Sequence, residues 1–200
     1  MTARVVVVAG PSGSGKSRLA ARLGLPVLRL DDFYKDGSDP TLPRIVEGPN
    51  AGIADWDHPD SWLREDALAA LRDLCAHGAA DVPVYEIAQD GRCGWHRLDL
   101  HGGALVVAEG IFAQEVVAPL RDEGLLALAV CVRRPASVTF WLRLARDLRE
   151  RRKPPLVLVR RGLALARAQR SVVAEAAAAG CTPMSPAQAL SAVRALRTPA

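Results

Sequence analysis

The clearest chemistry in the chain sits in Gly10-Pro11-Ser12-Gly13-Ser14-Gly15-Lys16-Ser17, the full glycine-rich Walker A pattern. Glycines let the backbone curl until its N–H groups converge on an anion, and a helix opening behind them adds the partial positive charge of its N-terminus. Lys16 can then reach the β- and γ-phosphates of a nucleoside triphosphate, and the Ser17 hydroxyl is suited to ligate Mg2+. The motif needs a strand before it and a helix after it. The apolar run Arg4–Ala9 and the helical spacing over Lys16–Leu23 supply both. Gly10, Ser12, Gly13, Ser14, Gly15, Lys16 and Ser17 are therefore the candidate nucleotide-binding residues, with ATP or another nucleoside triphosphate and Mg2+ as expected cofactors. Such a loop serves kinases, motors and switches alike, so other residues must identify the second substrate.

Carboxylates come next. Leu28-Arg29-Leu30-Asp31-Asp32-Phe33-Tyr34 closes a second apolar run, and Val106-Val107-Ala108-Glu109-Gly110 closes a third. Open α/β sheets bind ligands at the C-terminal edge of their strands, where these acids are expected. An acid there, Asp31 or Asp32, can help deprotonate an acceptor hydroxyl. On residue type alone, either also reads as a turn cap. Glu109 suits Mg2+ or its waters, with Ser17 and Asp31 completing the candidate metal set. Asp57-His58-Pro59-Asp60 reads as a helix start with Asp60 as N-cap. A basic run holds Arg143, Arg146, Arg149, Arg151, Arg152 and Lys153 before Pro154-Pro155. Spaced three apart, Arg143 and Arg146 share a helix face, suited to neutralising a transferring phosphoryl group. A solvated basic face is the plain alternative.

The elements that must position these residues follow from periodicity. Short Val- and Leu-rich runs alternate with longer helical stretches, the pattern of buried parallel strands joined by crossover helices. Strands are expected at Arg4–Ala9, Val27–Asp31, Ala104–Ala108 and Leu125–Val132. Val82–Ile87 and Trp95–Leu100 around Asp90-Gly91 predict an antiparallel hairpin inserted beside that sheet. Helices are expected at Lys16–Leu23, Asp60–His77, Phe112–Glu123, Pro135–Arg152, Leu156–Ala179 and Pro186–Leu196, with Gly24, Gly78, Gly124 and Gly180 at C-caps. Asp36–Asp55, rich in Gly and Pro, reads as a long loop with little structure of its own.

At 200 residues, 50% apolar and 24% charged, the chain has the proportions of one globular domain, which excludes a disordered or collagen-like polymer. Its longest apolar runs, Val5–Ala9 and Leu125–Val132, are too short to cross a bilayer, and the N-terminus lacks a signal-peptide pattern, so the cytoplasm is the expected location. Cys75, Cys93, Cys131 and Cys181 are widely spaced and read as reduced thiols. Net charge is +4, but residues 133–170 hold 12 Lys and Arg against Asp147 and Glu150, leaving that segment +10 and the remainder −6. A patch of that kind attracts phosphate groups.

In order and approximate spacing, GPSGSGKS at 10–17, DDFYKD at 31–36, WDHPDS at 56–61, PVYE at 83–86, EGI at 109–111 and RLARDLRER at 143–151 resemble the uridine kinase (uridine-cytidine kinase) family of P-loop kinases. The resemblance spans residues 5–153 and implies a three-layer α/β P-loop fold over residues 1–200, with a hairpin insertion at about 82–100 and an Arg-rich lid at about 143–155. It implies that Asp31 takes the proton of a nucleoside 5′-hydroxyl and that Asp57 holds ribose hydroxyls. By the same resemblance, Tyr34 and Tyr85 contact the nucleoside, Arg143, Arg146 and Arg151 close on the triphosphate, and Arg143 also touches the nucleoside. Ile87 and Asp90 depart from the family, which carries an aromatic ring and a His there for the pyrimidine. Arg152 also stands where the family has Gly.

The expected activity is transfer of the ATP γ-phosphate to uridine or cytidine. Two alternatives stand: the same chemistry on another small alcohol, such as nicotinamide riboside or pantothenate, and a non-catalytic module binding nucleotide or nucleic acid through the basic segment. Few aromatic residues are interleaved with the arginines, which disfavours nucleic acid. No membrane partner is expected, and the oligomeric state is not legible.

Overall fold

Strands covered on both faces need no alternation of apolar and polar residues, and Val5–Ala9 are such a run, each 0% exposed. The computed structural model describes residues 2–47, 51–149 and 155–197, except for the side chains of 143, 146–149, 155–162, 164–166 and 168. Its elements are β1 (Arg4–Ala9), α1 (Lys16–Leu23), β2 (Val27–Arg29), α2 (Arg64–His77), β3 (Ala79–Glu86), β4 (Gly91–Asp99), β5 (Leu105–Glu109), α3 (Val117–Asp122), β6 (Leu126–Val132), α4 (Ala136–Arg149), α5 (Pro155–Ala178), β7 (Thr182–Met184) and α6 (Pro186–Ala195).

Five strands form a parallel sheet in the order β2-β5-β1-β6-β7, and β3 pairs antiparallel with β4 apart from it. Period-two alternation sends Val6, Val8, Val107, Val130 and Val132 onto Leu19, Leu23, Ala189, Leu190 and Val193 of α1 and α6. Val5, Val7, Val106, Ala108 and Cys131 face Leu68, Leu71, Leu74 and Leu120 of α2 and α3. The result is a three-layer α/β P-loop fold. Fully burying one such Val or Leu side chain contributes about 1.5–3 kcal/mol, so the central strands anchor everything built on their ends. Among the described residues, no helix is long and apolar enough to cross a membrane.

Several expected boundaries move for identifiable reasons. The helix expected from Asp60 begins at Arg64; Pro59–Ser61 form a separate 3-10 turn. Lys35 N–H bonds Ser61 O and Leu63 N–H bonds Phe33 O, both 2.9 Å, so residues 61–63 are drawn into pairing with 33–35. Asp60 is accordingly not an N-cap: His58 caps the turn, its Nδ1 accepting from Asp60 N–H at 3.1 Å. The second strand stops at Arg29, level with Glu109 of β5, and Leu30–Phe33 turn as a 3-10 helix that buries Leu30 and Phe33. The helix expected over Phe112–Glu123 divides into a 3-10 turn, Ala113–Val116, and α3. Pro119 removes a donor and crowds the carbonyl four residues earlier, so the α-helix starts only at Val117.

The hairpin strands are longer than expected, joined through a 3-10 turn at Ile87–Gln89 and Asp90 at φ 45°. The loop at 36–55 has pairing of its own: Ile45 N–H bonds Ile53 O and Asp55 N–H bonds Pro43 O. β7 was not expected; its three residues carry no period, and Pro183 is tolerated because the strand is an edge. Gly24, Gly78, Gly124 and Gly180 take the left-handed backbone foreseen for them.

Candidate active site

Three strand ends meet at one point because β5 lies between β1 and β2. Glu109 is level with Val8 on one side and Arg29 on the other. The next residues of each strand therefore begin the glycine loop, the Asp31 turn and the Gly110–Phe112 segment side by side.

The loop leaves β1 at Gly10, whose φ of +136° and crowding against β6 both demand glycine; a Cβ there would lie 2.5 Å from Val132 O. It closes on Gly15, the N-cap of α1 at φ 97°. Lys16 folds its ammonium back over the loop, donating to Gly10 O at 2.8 Å and Pro11 O at 3.4 Å. Ser14 is fully buried, and its Oγ has no hydrogen-bond partner.

Ser17, one residue into α1, hydrogen-bonds the Glu109 carboxylate. Burial pushes the Glu109 carboxyl above the usual carboxylate range, and the Ser17 bond and the Lys16 charge partly oppose that shift. Asp31 stands beside this pair and itself raises the Glu109 pKa. Its Oδ1 accepts from Ile111 N–H at 2.9 Å, an arrangement that requires Gly110 to lack a side chain. A Cβ at Gly110 would fall 2.8 Å from both Asp31 Oδ1 and Leu30 Cβ.

Asp32 points elsewhere. It is buried, 3.7 Å from Arg29 and hydrogen-bonded by Tyr85 N–H, and burial raises its pKa. Of the two adjacent acids, Asp31 is thus the one whose charge raises the Glu109 pKa, against the Ser17 and Lys16 contributions that lower it.

Aromatic rings wall the space next to Asp31. Tyr34 lies 5.6 Å from Trp56, 5.9 Å from Tyr85 and 6.0 Å from Phe112, centroid to centroid. Trp62 anchors the wall, donating from Nε1 to Leu30 O at 2.7 Å. Burial, reinforced by Asp31 and Asp57, lifts the Tyr34 phenol above its ordinary range, and burial with Asp90 and Asp36 lifts Tyr85 to about 12. Both hydroxyls stay protonated at neutral pH: Tyr34 donates to Trp56 O at 3.1 Å and Tyr85 to Lys35 O at 3.4 Å. Asp57 is exposed at this edge, its charge felt by Tyr34.

The hairpin forms the rim. Gly37 N–H bonds Asp90 O at 2.6 Å, and Arg92 N–H bonds Asp36 Oδ1 at 2.7 Å. Asp90 is thereby a turn residue fastening two loops, while Ile87 is 73% exposed. Arg143 and Arg146 fall within α4, but their side chains, and all of Arg151, Arg152 and Lys153, lie outside the described residues.

The structure therefore gathers Gly10–Ser17, Asp31, Glu109, Tyr34, Tyr85 and Asp57 around one cleft edge. Sequence reasoning missed Phe112, Gly110 and Arg134, and it gave no role to Trp56, although Trp56 adjoins Asp57 in a segment already singled out. Gly110 stands in the quoted EGI segment, but its role was not legible there, because that role is a contact with Leu30 and Asp31 in the turn after β2.

The donor set fits a triphosphate with Mg2+: an N–H-lined glycine loop, one ammonium, one hydroxyl and two carboxylates. Among the described residues no group of three or more His, Cys, Asp or Glu is placed to hold a metal ion by itself.

No family model matches the chain. A uridine kinase from Deinococcus deserti is 35% identical over 162 residues, which cover 76% of this chain and 72% of that protein. A uridine kinase from Haemophilus influenzae is 29% identical over 160 residues, covering 74% and 70%. A solved structure described as a candidate fructose transport system kinase from Silicibacter sp. TM1040 matches with a TM-score of 0.59 over 85% of both chains at 19% identity, a likeness of fold alone. Its similarity to the Deinococcus protein, carried over most of both chains, shows that this chain belongs to the uridine kinase family, phosphotransferases with an alcohol group as acceptor.

Proposed function

We propose that the chain transfers the γ-phosphate of ATP to the 5′-hydroxyl of a nucleoside, with uridine and cytidine as the first acceptors. The observation that carries this reading is the placement of Asp31: a carboxylate fixed by Ile111 N–H beside the Ser17–Glu109 pair and next to the aromatic wall. In this reading the N–H groups of Gly10, Ser12, Gly13, Ser14 and Gly15 cradle the phosphates, and Lys16 exchanges its loop carbonyls for phosphate oxygens. Ser17, Glu109 and Asp31 would hold Mg2+, which when bound supplies charge neutralisation at the phosphates.

Asp31 Oδ1 is held by the main chain, leaving Oδ2 to take the hydroxyl proton as the acceptor oxygen bonds to phosphorus and the bond to the ADP leaving group breaks. Asp57 orients paired sugar hydroxyls, an acceptor role that matches a carboxylate. Tyr34 and Tyr85 pack against the nucleoside with Trp56. Arg143, Arg146 and Arg151, on and beyond α4, close over the triphosphate and exclude water, Arg143 also reaching the nucleoside.

One observation favours a second reading, the same chemistry on another small alcohol. Exposed Ile87 offers no ring for stacking, and the Asp90 main chain is committed to Gly37. The test is Mg2+-dependent ADP release with ATP against uridine, cytidine, nicotinamide riboside, pantothenate and no acceptor, together with Lys16→Ala and Asp31→Asn. Stimulation by uridine or cytidine, lost in both variants, supports the proposal. Stimulation only by another alcohol moves the assignment to the second reading. ATP binding without turnover on any acceptor, or variants as active as the parent, overturns the kinase reading.

A further inference from the structure

Nothing in its sequence position marks Arg134, yet it ends beside the phosphate loop. β6 pairs with β1 on the side away from β5, Cys131 level with Ala9, so the residues just past β6 arrive against Gly10–Gly15. There Arg134 Nε donates to Ser14 O at 3.0 Å, and its guanidinium lies 3.7–3.8 Å from the position of a Cβ on Gly15. Arg134 is held from behind: Gln169 of α5, 8% exposed, donates from Nε2 to Arg134 O at 2.7 Å. Among the described residues, no acidic side chain pairs with the Arg134 guanidinium.

The chain contains no cis peptide among its described residues, and a trans peptide points its C=O and its N–H in opposite directions. Ser14 O belongs to the Ser14–Gly15 peptide. A donor that holds this oxygen on the Arg134 side therefore turns Gly15 N–H the other way, toward the hollow of the loop. Because the donor is cationic, it also polarises the peptide and makes that N–H a stronger donor.

We infer that Arg134 is a positioning residue for triphosphate binding: its grip on Ser14 O sets the Gly15 N–H, and Gln169 sets Arg134. The inference rests on the proposed nucleotide site and deepens it.

The test needs no acceptor. Calorimetric titration of the full chain with ATP and Mg2+, at a temperature where every variant is folded, is expected to give a Kd about tenfold weaker in Arg134→Met, partly recovered in Arg134→Lys. Gln169→Leu weakens binding by about threefold and adds nothing in the Arg134→Met background, because both act through one contact. In an amide NMR spectrum of the nucleotide-free protein, the Gly15 resonance moves in Arg134→Met. An Arg134→Met variant that binds ATP as the parent does, or leaves the Gly15 amide unmoved, overturns the inference. A parent chain that fails to bind ATP overturns the proposed function instead, and the Gly15 amide still decides whether Arg134 holds the loop.

Discussion

Replacing Gly110 by Ala adds one methyl group at the place where β5 passes the turn carrying Asp31. That Cβ would sit 2.8 Å from Asp31 Oδ1, 2.8 Å from Leu30 Cβ and 3.2 Å from Asp31 N. The carboxylate can rotate away, but Leu30 Cβ and the main chain cannot, so the end of β2 must shift. The shift breaks the 2.9 Å bond from Ile111 N–H to Asp31 Oδ1. Overpacking a tight site costs about 1–3 kcal/mol, and a hydrogen bond to a charged group contributes about 1.5–3 kcal/mol. Because one movement relieves the first cost while incurring the second, the expected destabilisation is about 1.5–3 kcal/mol. At about 2–4 °C per kcal/mol for a chain of this size, Tm falls by roughly 3–12 °C.

The functional effect is separable. A base displaced by about 1 Å from its acceptor loses on the order of a hundredfold in rate, whereas Gly10–Ser17 are untouched and ATP affinity should hold. The assay is steady-state ADP release on the acceptor identified by the panel, with ATP binding and thermal melting measured in parallel. Gly94→Ala is the control, since a Cβ there meets nothing within 4 Å. A Gly110→Ala variant with the parent's kcat and Tm would refute the placement of Asp31.

Burial raises the Glu109 pKa, so folding favours its protonated form; that stabilisation is full below the unfolded pKa and is lost as pH rises through the folded one. Glu109→Gln is therefore expected to raise the Tm of the nucleotide-free protein more at about pH 8 than at about pH 4, while abolishing most Mg2+-dependent turnover. Scanning calorimetry of parent and variant at both pH values checks the sign, and a Tm gain from Glu109→Gln no larger at about pH 8 than at about pH 4 contradicts the burial argument. Trp62→Phe removes the indole N–H from Leu30 O, a contact 2.7 Å long in a buried setting, and should cost about 1–3 kcal/mol in urea unfolding. Because Leu30 adjoins Asp31, kcat should fall as well; an unchanged unfolding midpoint would show that the bond contributes nothing.

Local chemistry made the phosphate loop legible: Gly10-to-Ser17 between an apolar run and a helical one leaves few alternatives, since strand, glycine turn and helix start are short-range properties. The same holds for β1, α1 and the helix ends marked by Gly24, Gly78, Gly124 and Gly180, which depend on φ preferences and on neighbours a few residues away. Long-range pairing decided the rest. Trp62 and Leu63 left the expected helix because residues 33–35 offered them main-chain partners, and β7 exists only because β6 presents an edge to Thr182–Met184. Asp31 and Asp32 are equivalent by residue type. Tertiary packing separates them, burying one against Arg29 and the hairpin and setting the other over Gly110 beside Glu109. Arg134 reads as one more residue of a basic run until β6 carries it to Ser14, a contact spanning 120 positions of the chain. The sequence by itself determined which groups could bind a triphosphate and move a proton, because those capacities belong to residue types and to short spacing. Only the folded sheet, by ordering its strands, decided which of them share a site.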